Sequence, residues 1–232
     1  MITLRLCGEL ISDDWAELYR WFGIESGFYC PADIRAAIDK LKPSEELVLE
    51  INSVGGHVDA AAEIYAALEK LPNPTKAEIQ SLAASAASYF ILACKRVEIS
   101  LAAQMMIHCG SWGVGGNKFD HLWAAQQLDE TDNTILDVYC RKCGEHRREE
   151  LKELMDAESY LSARRCLELG LVDAIIGDVP EEGTPALVAS IHSNTVRAMR
   201  TLPDIEDLRS RRQTMLEQME KELADEKARF TM

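Results

Sequence analysis

The sequence predicts an α/β fold, a mainly parallel sheet with helices packed on it, and two strand-to-helix crossovers in a row predict it. The first is ELVLEIN, alternating and rich in branched aliphatic residues, followed by SVGG and then by the amphipathic VDAAAEIYAALEKL. The second is TKAEI followed by Gln80 to Cys94, QSLAASAASYFILAC, a run of alanines and serines that turns into an apolar helix. Parallel neighbours need a crossover of about a dozen residues, and a helix supplies it.

The remaining elements fall into place in chain order. ITLRLCGEL reads as a first strand ended by Gly8, and Asp13 or Asp14 is placed to cap WAELYRWF, whose Trp15, Leu18 and Phe22 share one face. After the turn-like GFYCPAD, Pro31 starts the short helix DIRAAIDKL, which Lys42 and Pro43 close. Pro72 and Pro74 end the helix of the first crossover. VEIS and AQMMIHC are short strands, the second with His108 at its end, and GSWGVGGNKFD is an extended, glycine-rich loop or ribbon. From Asp120 to about Glu158 the pattern is one long helix or two in series, with Leu122, Leu128, Ile135, Leu136, Val138 and Tyr139 as its apolar stripe and Gly144 as its break. SARRCLELG is a helix capped by Ser162 and stopped by Gly170, and LVDAII closes as a strand.

At 232 residues the chain exceeds one typical domain of about 150, so a body and an appendage are expected. The body spans 1–176. Residues 177–203, rich in Gly, Pro, Glu and Ser, read as a linker, and 204–232 as a charged C-terminal helix or tail with Leu216, Met219, Leu223 and Phe230 at helical spacing. Net charge is −14, from 25 basic and 39 acidic residues, with no cluster of Lys and Arg interleaved with aromatics, so nucleic acid is not an expected partner. The start, MITLRLCGEL, lacks the pattern of a signal peptide, and no apolar run approaches the ~20 residues of a membrane span. A cytoplasmic protein with no membrane partner is expected. Seven cysteines, odd in number and set in core-like segments, suit reduced thiols better than a disulfide framework.

Ser85 falls where a strand hands over to a helix, and there the N–H of Ala86 has no partner within the helix and can meet a developing oxyanion. A serine hydroxyl is a weak nucleophile near neutral pH, so it needs a base, and an imidazole base needs a carboxylate to fix its tautomer. His108 supplies the first, and Asp156 or Glu158 the second. Gly56, in a glycine turn, lets its backbone N–H approach a substrate carbonyl with no Cβ in the way, so Gly56 and Ala86 form a candidate oxyanion hole. The same small residues also read as a helix packed closely on a sheet. Ser88, almost one turn beyond Ser85, reads as core, and His57 as peripheral. Cys109, beside His108, has no separate base of its own. Cys140, Cys143 and His146 have a C-x2-C-x2-H spacing without a fourth ligand, so neither a metal nor any other cofactor is expected.

The order INSVGG, LAASAAS, MMIH and ESYLSARRCLELGLVD resembles the Clp protease proteolytic subunit family, whose pattern runs INSPGG, GxAASM, MIH and DxxLSAxEAxxxGLVD. The resemblance covers about Leu4 to Ile176. It implies a serine endopeptidase on the superhelix of strand-helix units that ClpP shares with crotonases, with a protruding handle, here joined to the C-terminal extension. Carried over residue by residue, the nucleophile is Ser85, the base His108, the oxyanion donors Gly56 and Ala86, and the third member Glu158, with Asp156 as runner-up. Extended protein or peptide substrate is expected to run by Val58 and Ser111. A homo-oligomer, a ring or stacked rings locked through the handle after His108, is also implied.

This sequence departs from the family where Glu158 replaces the usual aspartate and Val54 replaces the proline of INSPGG. It also starts directly at the first strand, which leaves an ATPase partner doubtful, and with its charged extension it looks like the divergent members of phages and prophages that resemble head maturation proteases. The expected function is therefore peptide-bond hydrolysis through a Ser-His-Glu/Asp triad, on capsid or scaffold proteins and without an ATPase. The alternatives are a catalytically silent Clp-like scaffold and an acyl-CoA enzyme of the crotonase type.

Overall fold

Residues 1–177 are described by the structure, a computed structural model. Among them eight strands form one sheet: β1 (Ile2–Leu10), β2 (Phe28–Tyr29), β3 (Leu47–Gly56), β4 (Thr75–Ala84), β5 (Arg96–Ser100), β6 (Gln104–Ile107), β7 (Ser159–Ser162) and β8 (Ala174–Ile176). Among the described residues the helices are α1 (Asp13–Trp21), α2 (Pro31–Ile38), α3 (Val58–Lys70), α4 (Ala86–Phe90), α5 (Lys118–Cys143), α6 (Arg148–Asp156) and α7 (Ala163–Leu169), with short 3-10 turns at Ile91–Ala93 and Glu145–Arg147.

The main order is β2-β1-β3-β4-β5-β8, parallel throughout, as the crossover pattern demands. β4 forks. Its residues 76–79 pair with 96–99 of β5, and its residues 82–84 pair with 104–106 of β6. The β6–β7 pair is the only antiparallel one among the described residues. In β3, Leu47, Leu49 and Ile51 are fully buried, and α3 lays Ala60, Ala61, Ile64 and Leu68 into the same core at helical spacing. Each Leu or Ile so buried is worth about 1.5–3 kcal/mol relative to exposure.

Where the structure differs from the sequence reading, packing and pairing explain most of it. Gly8 does not end β1 but sits at a register shift inside it, where a Cβ would lie 2.0 Å from the carbonyl oxygen of Gly27. Ser12, not Asp13 or Asp14, caps α1 by accepting from the Trp15 N–H. Asp13 instead accepts from the Ala32 N–H at 2.8 Å and pairs with Arg35, tying α1 to α2. Phe28 and Tyr29 in GFYCPAD extend the sheet. The first five residues of QSLAASAASYFILAC are strand, because they continue β4 alongside β6, and α4 begins only at Ala86. β7, within ESYLSA, is a strand missed altogether. Gly144 does break the long helical region, and Ser162 and Gly170 bound α7 as expected. The apolar stripe of α5 is buried only over its second half, at Ile135, Leu136 and Tyr139, while Leu122 is 52% exposed. The linker at 177–203 falls outside the described residues except for Gly177, and the C-terminal helix or tail at 204–232 falls wholly outside them.

Candidate active site

Ser85 is the single residue between β4 and α4. Its N–H donates to the Met106 carbonyl at 2.8 Å, which extends the β4–β6 ladder by one step, and its backbone then turns sharply through φ +55°, ψ −128°. A non-glycine residue in such a region costs on the order of 1–3 kcal/mol and persists only where its surroundings hold it. A tight strand-to-helix elbow of this kind pushes the hydroxyl outward, and it needs small neighbours. Ala83 and Ala87, two residues to either side, are fully buried and leave that room.

β6 brings the base. Ala84 is in register with Met106, so His108, just past the end of β6, reaches the elbow, and its Nε2 lies 2.7 Å from Ser85 Oγ. With the serine donating to Nε2, the imidazole proton resides on Nδ1. β3 brings the glycine turn. Gly55, at φ +85°, lies so close to the elbow that a Cβ there would stand 2.5 Å from the Ala84 carbonyl oxygen and 2.6 Å from Ser85 Cβ. Gly56, at φ +149°, is pressed on Leu10, whose carbonyl oxygen a Cβ would approach to 2.0 Å.

Gly56, Val58, Ser85, Ala86, His108 and Ser111 all line one small cleft of about 60 Å³, together with Tyr89, Gly110, Ile135 and Tyr139. The sequence singled out the first six as site residues, and the fold collects them in one place. Glu158 is the exception. It is exposed, at φ +49°, and among the described residues its carboxylate has no hydrogen-bond partner and His108 Nδ1 meets no carboxylate. Asp156 is engaged elsewhere. It accepts from Lys152 Nζ at 2.7 Å and from the Cys109 thiol at 3.4 Å, and Lys152 first and Cys109 second hold its carboxyl below the usual range. Burial, followed by the bond to Asp156, pushes the Cys109 thiol up to about 12. The Gly110 N–H is held by Asp132 Oδ1 at 2.6 Å, which anchors the start of the glycine-rich loop to α5.

Three supporting groups escaped the sequence reading. Ser53, two residues before the glycine turn and 1% exposed, accepts from the Tyr29 hydroxyl at 2.8 Å and from the Gly55 N–H at 3.1 Å, and donates to the Gly8 carbonyl at 2.7 Å. Ser88, read as plain core, is buried but donates to the Ser85 carbonyl at 2.6 Å and meets the Tyr139 hydroxyl at 2.6 Å. The Tyr89 hydroxyl donates to the Val58 carbonyl at 2.6 Å and so fastens α4 to the start of α3. A serine in an otherwise apolar buried stretch is the one sequence signal for such groups, since a buried hydroxyl requires a partner.

Fold and cleft together define an α/β protein with a serine and histidine in contact at a strand-to-helix elbow. The Clp protease family model matches residues 35–179, and the chain belongs to that family, a family of peptidases with the ClpP-like fold. The match starts within α2, so it takes in the whole cleft but not β1. The chain is similar to the ATP-dependent Clp protease proteolytic subunit 1 of Chlamydia muridarum, 30% identical over 143 residues that cover 60% of this chain and 74% of that protein. It is similar to the subunit of the same name from Chlamydia trachomatis serovar D, with the same identity and coverage. The ATP-dependent Clp protease proteolytic subunit 3 of Rhodococcus jostii is 29% identical over 143 residues, 60% of this chain and 69% of that protein.

Proposed function

We propose that the chain is a serine endopeptidase in which Ser85 attacks a peptide carbonyl and His108 takes its proton and returns it to the leaving amine. The observation that carries this is the 2.7 Å contact between Ser85 Oγ and His108 Nε2 at a strained elbow. The tetrahedral oxyanion is met by the N–H groups of Gly56 and Ala86, each such donor being worth about 10²–10³ in rate. Extended peptide lies along Val58 and Ser111, bound mainly through its backbone. Glu158 is the third member, and it must turn toward His108 Nδ1 to act.

A homo-oligomer is part of the proposal. Trp112, Phe119, Leu122 and Trp123 stand more than half exposed around the first part of α5, with the two tryptophan rings 5.5 Å apart, an apolar surface that a second copy would cover. Capsid or scaffold proteins as substrates, cleavage without an ATPase and a cytoplasmic setting rest on the resemblance to prophage members and on composition. Among the described residues no helix is long and apolar enough to cross a membrane.

The carboxylate of Glu158, unpartnered among the described residues, favours a second reading, a silent Clp-like scaffold. Intact mass after exposure to a small fluorophosphonate separates the two. One adduct per chain, absent in Ser85→Ala, is the expected result, and a folded chain that takes up no label would leave the scaffold standing.

A further inference from the structure

The elbow carries a hydrogen-bond chain that the catalytic roles do not use. Ser88 Oγ has one hydrogen, which goes to the Ser85 carbonyl at 2.6 Å, so in the 2.6 Å contact with Tyr139 the phenol is the donor. The Ser88 N–H adds a second bond to the same carbonyl at 2.9 Å. Both side chains are shut off from water, Ser88 at 0% and Tyr139 at 1% exposure. Burial raises the Tyr139 hydroxyl well above its ordinary value, so it remains a proton donor at any working pH. The chain thus runs from α5 through Ser88 to one carbonyl oxygen, and that oxygen belongs to the peptide unit between Ser85 and Ala86.

We propose that Tyr139 and Ser88 are positioning residues that aim the Ala86 N–H into the cleft by holding the other end of its peptide plane. No cis peptide occurs among the described residues, so the Ser85 C=O and the Ala86 N–H point in opposite directions across a rigid plane. Fixing the oxygen on the buried side fixes the N–H on the cleft side. The same grip sets ψ of Ser85 and helps to hold its hydroxyl against His108. Without it the strained elbow has a lower-energy conformation to relax into, and the plane would turn with it. The proposal rests on the reading of Ser85 as a nucleophile with Ala86 as an oxyanion donor. A group that acts through an oxyanion donor acts in the transition state, so its loss lowers kcat and spares KM.

The test uses the full chain, 4-nitrophenyl acetate as substrate, and rates normalised to folded protein. Tyr139→Phe removes one oxygen and keeps the ring; it lowers kcat about tenfold, part of the 10²–10³ that a lost donor costs, with KM within about twofold. Ser88→Ala falls at least as far, and the double variant falls no further than Ser88→Ala because both changes break one chain. Ser88→Thr, which keeps the hydroxyl, recovers most of the rate. Losses that multiply in the double variant, or a lowered melting temperature with an unchanged kcat per folded chain, would overturn the relay. Should the wild type hydrolyse nothing, the peptidase reading fails by itself, and the relay is judged by ¹⁵N NMR of the His108 imidazole. Signals in Tyr139→Phe and Ser88→Ala that move toward those of Ser85→Ala support it; signals that stay at the wild-type positions sink it.

Discussion

Ser85 and Glu158 share an unusual backbone, φ +55° and φ +49°, and are held in very different ways. Ser85 is fastened at its N–H by Met106, at its carbonyl by Ser88 twice, and at its hydroxyl by His108. Glu158 has the bond from its N–H to the Met155 carbonyl at 3.0 Å, and its exposed side chain is unpartnered among the described residues. Strain at Ser85 is over-determined by a sheet on one side and a buried helix on the other. Strain at Glu158 is that of an ordinary turn after α6. Ser85 and His108 are therefore set in place by the fold of one chain, whereas the Glu158 side chain has no such hold among the described residues.

The largest break in this contrast comes from adding a single methyl beside Ser85. Gly55→Ala places a Cβ within 2.5 Å of the Ala84 carbonyl oxygen at a φ of +85°, so it costs about 3 kcal/mol or more in urea unfolding and abolishes labelling of Ser85. At the acid corner, Glu158→Gln lowers the acylation rate about 10–100-fold with melting temperature unchanged, while Asp156→Asn changes it less than about twofold, since Asp156 is already engaged by Lys152 and Cys109. The reverse order of effects would make Asp156 the third member. The smallest effect is on the acid limb of stability. The Asp156 carboxyl is held low in the folded chain, so what it contributes is present above its unfolded value of about 3.9 and is lost as pH falls through its lower folded value. Melting curves of Asp156→Asn and wild type should therefore diverge above about pH 4 and converge below it.

Local pattern carried most of the architecture. The alternation of ELVLEIN, the glycine pair after it and the periodicity of α3 each specify their element from neighbouring residues alone, and the placement of Ser85 and His108 at strand ends follows. What stayed hidden depends on partners far along the chain. QSLAA looks helical by composition and is a strand because β6, more than twenty residues later, pairs with it. The four residues of β7 and the two of β2 are too short to signal a period. Ser53 and Ser88 bond to tyrosines 24 and 51 residues away, a relation that no local spacing encodes.

The fork in β4 has a consequence in time. Ser85 lies at the end of the branch that needs β6, and β6 follows β5 in the chain. Parallel pairing between distant segments is slow compared with helix formation, because the loop must close before the contacts reward it. A nascent chain that has not reached β6 carries Ser85 without His108. The 2.7 Å contact between the two side chains forms only when β6 has joined β4.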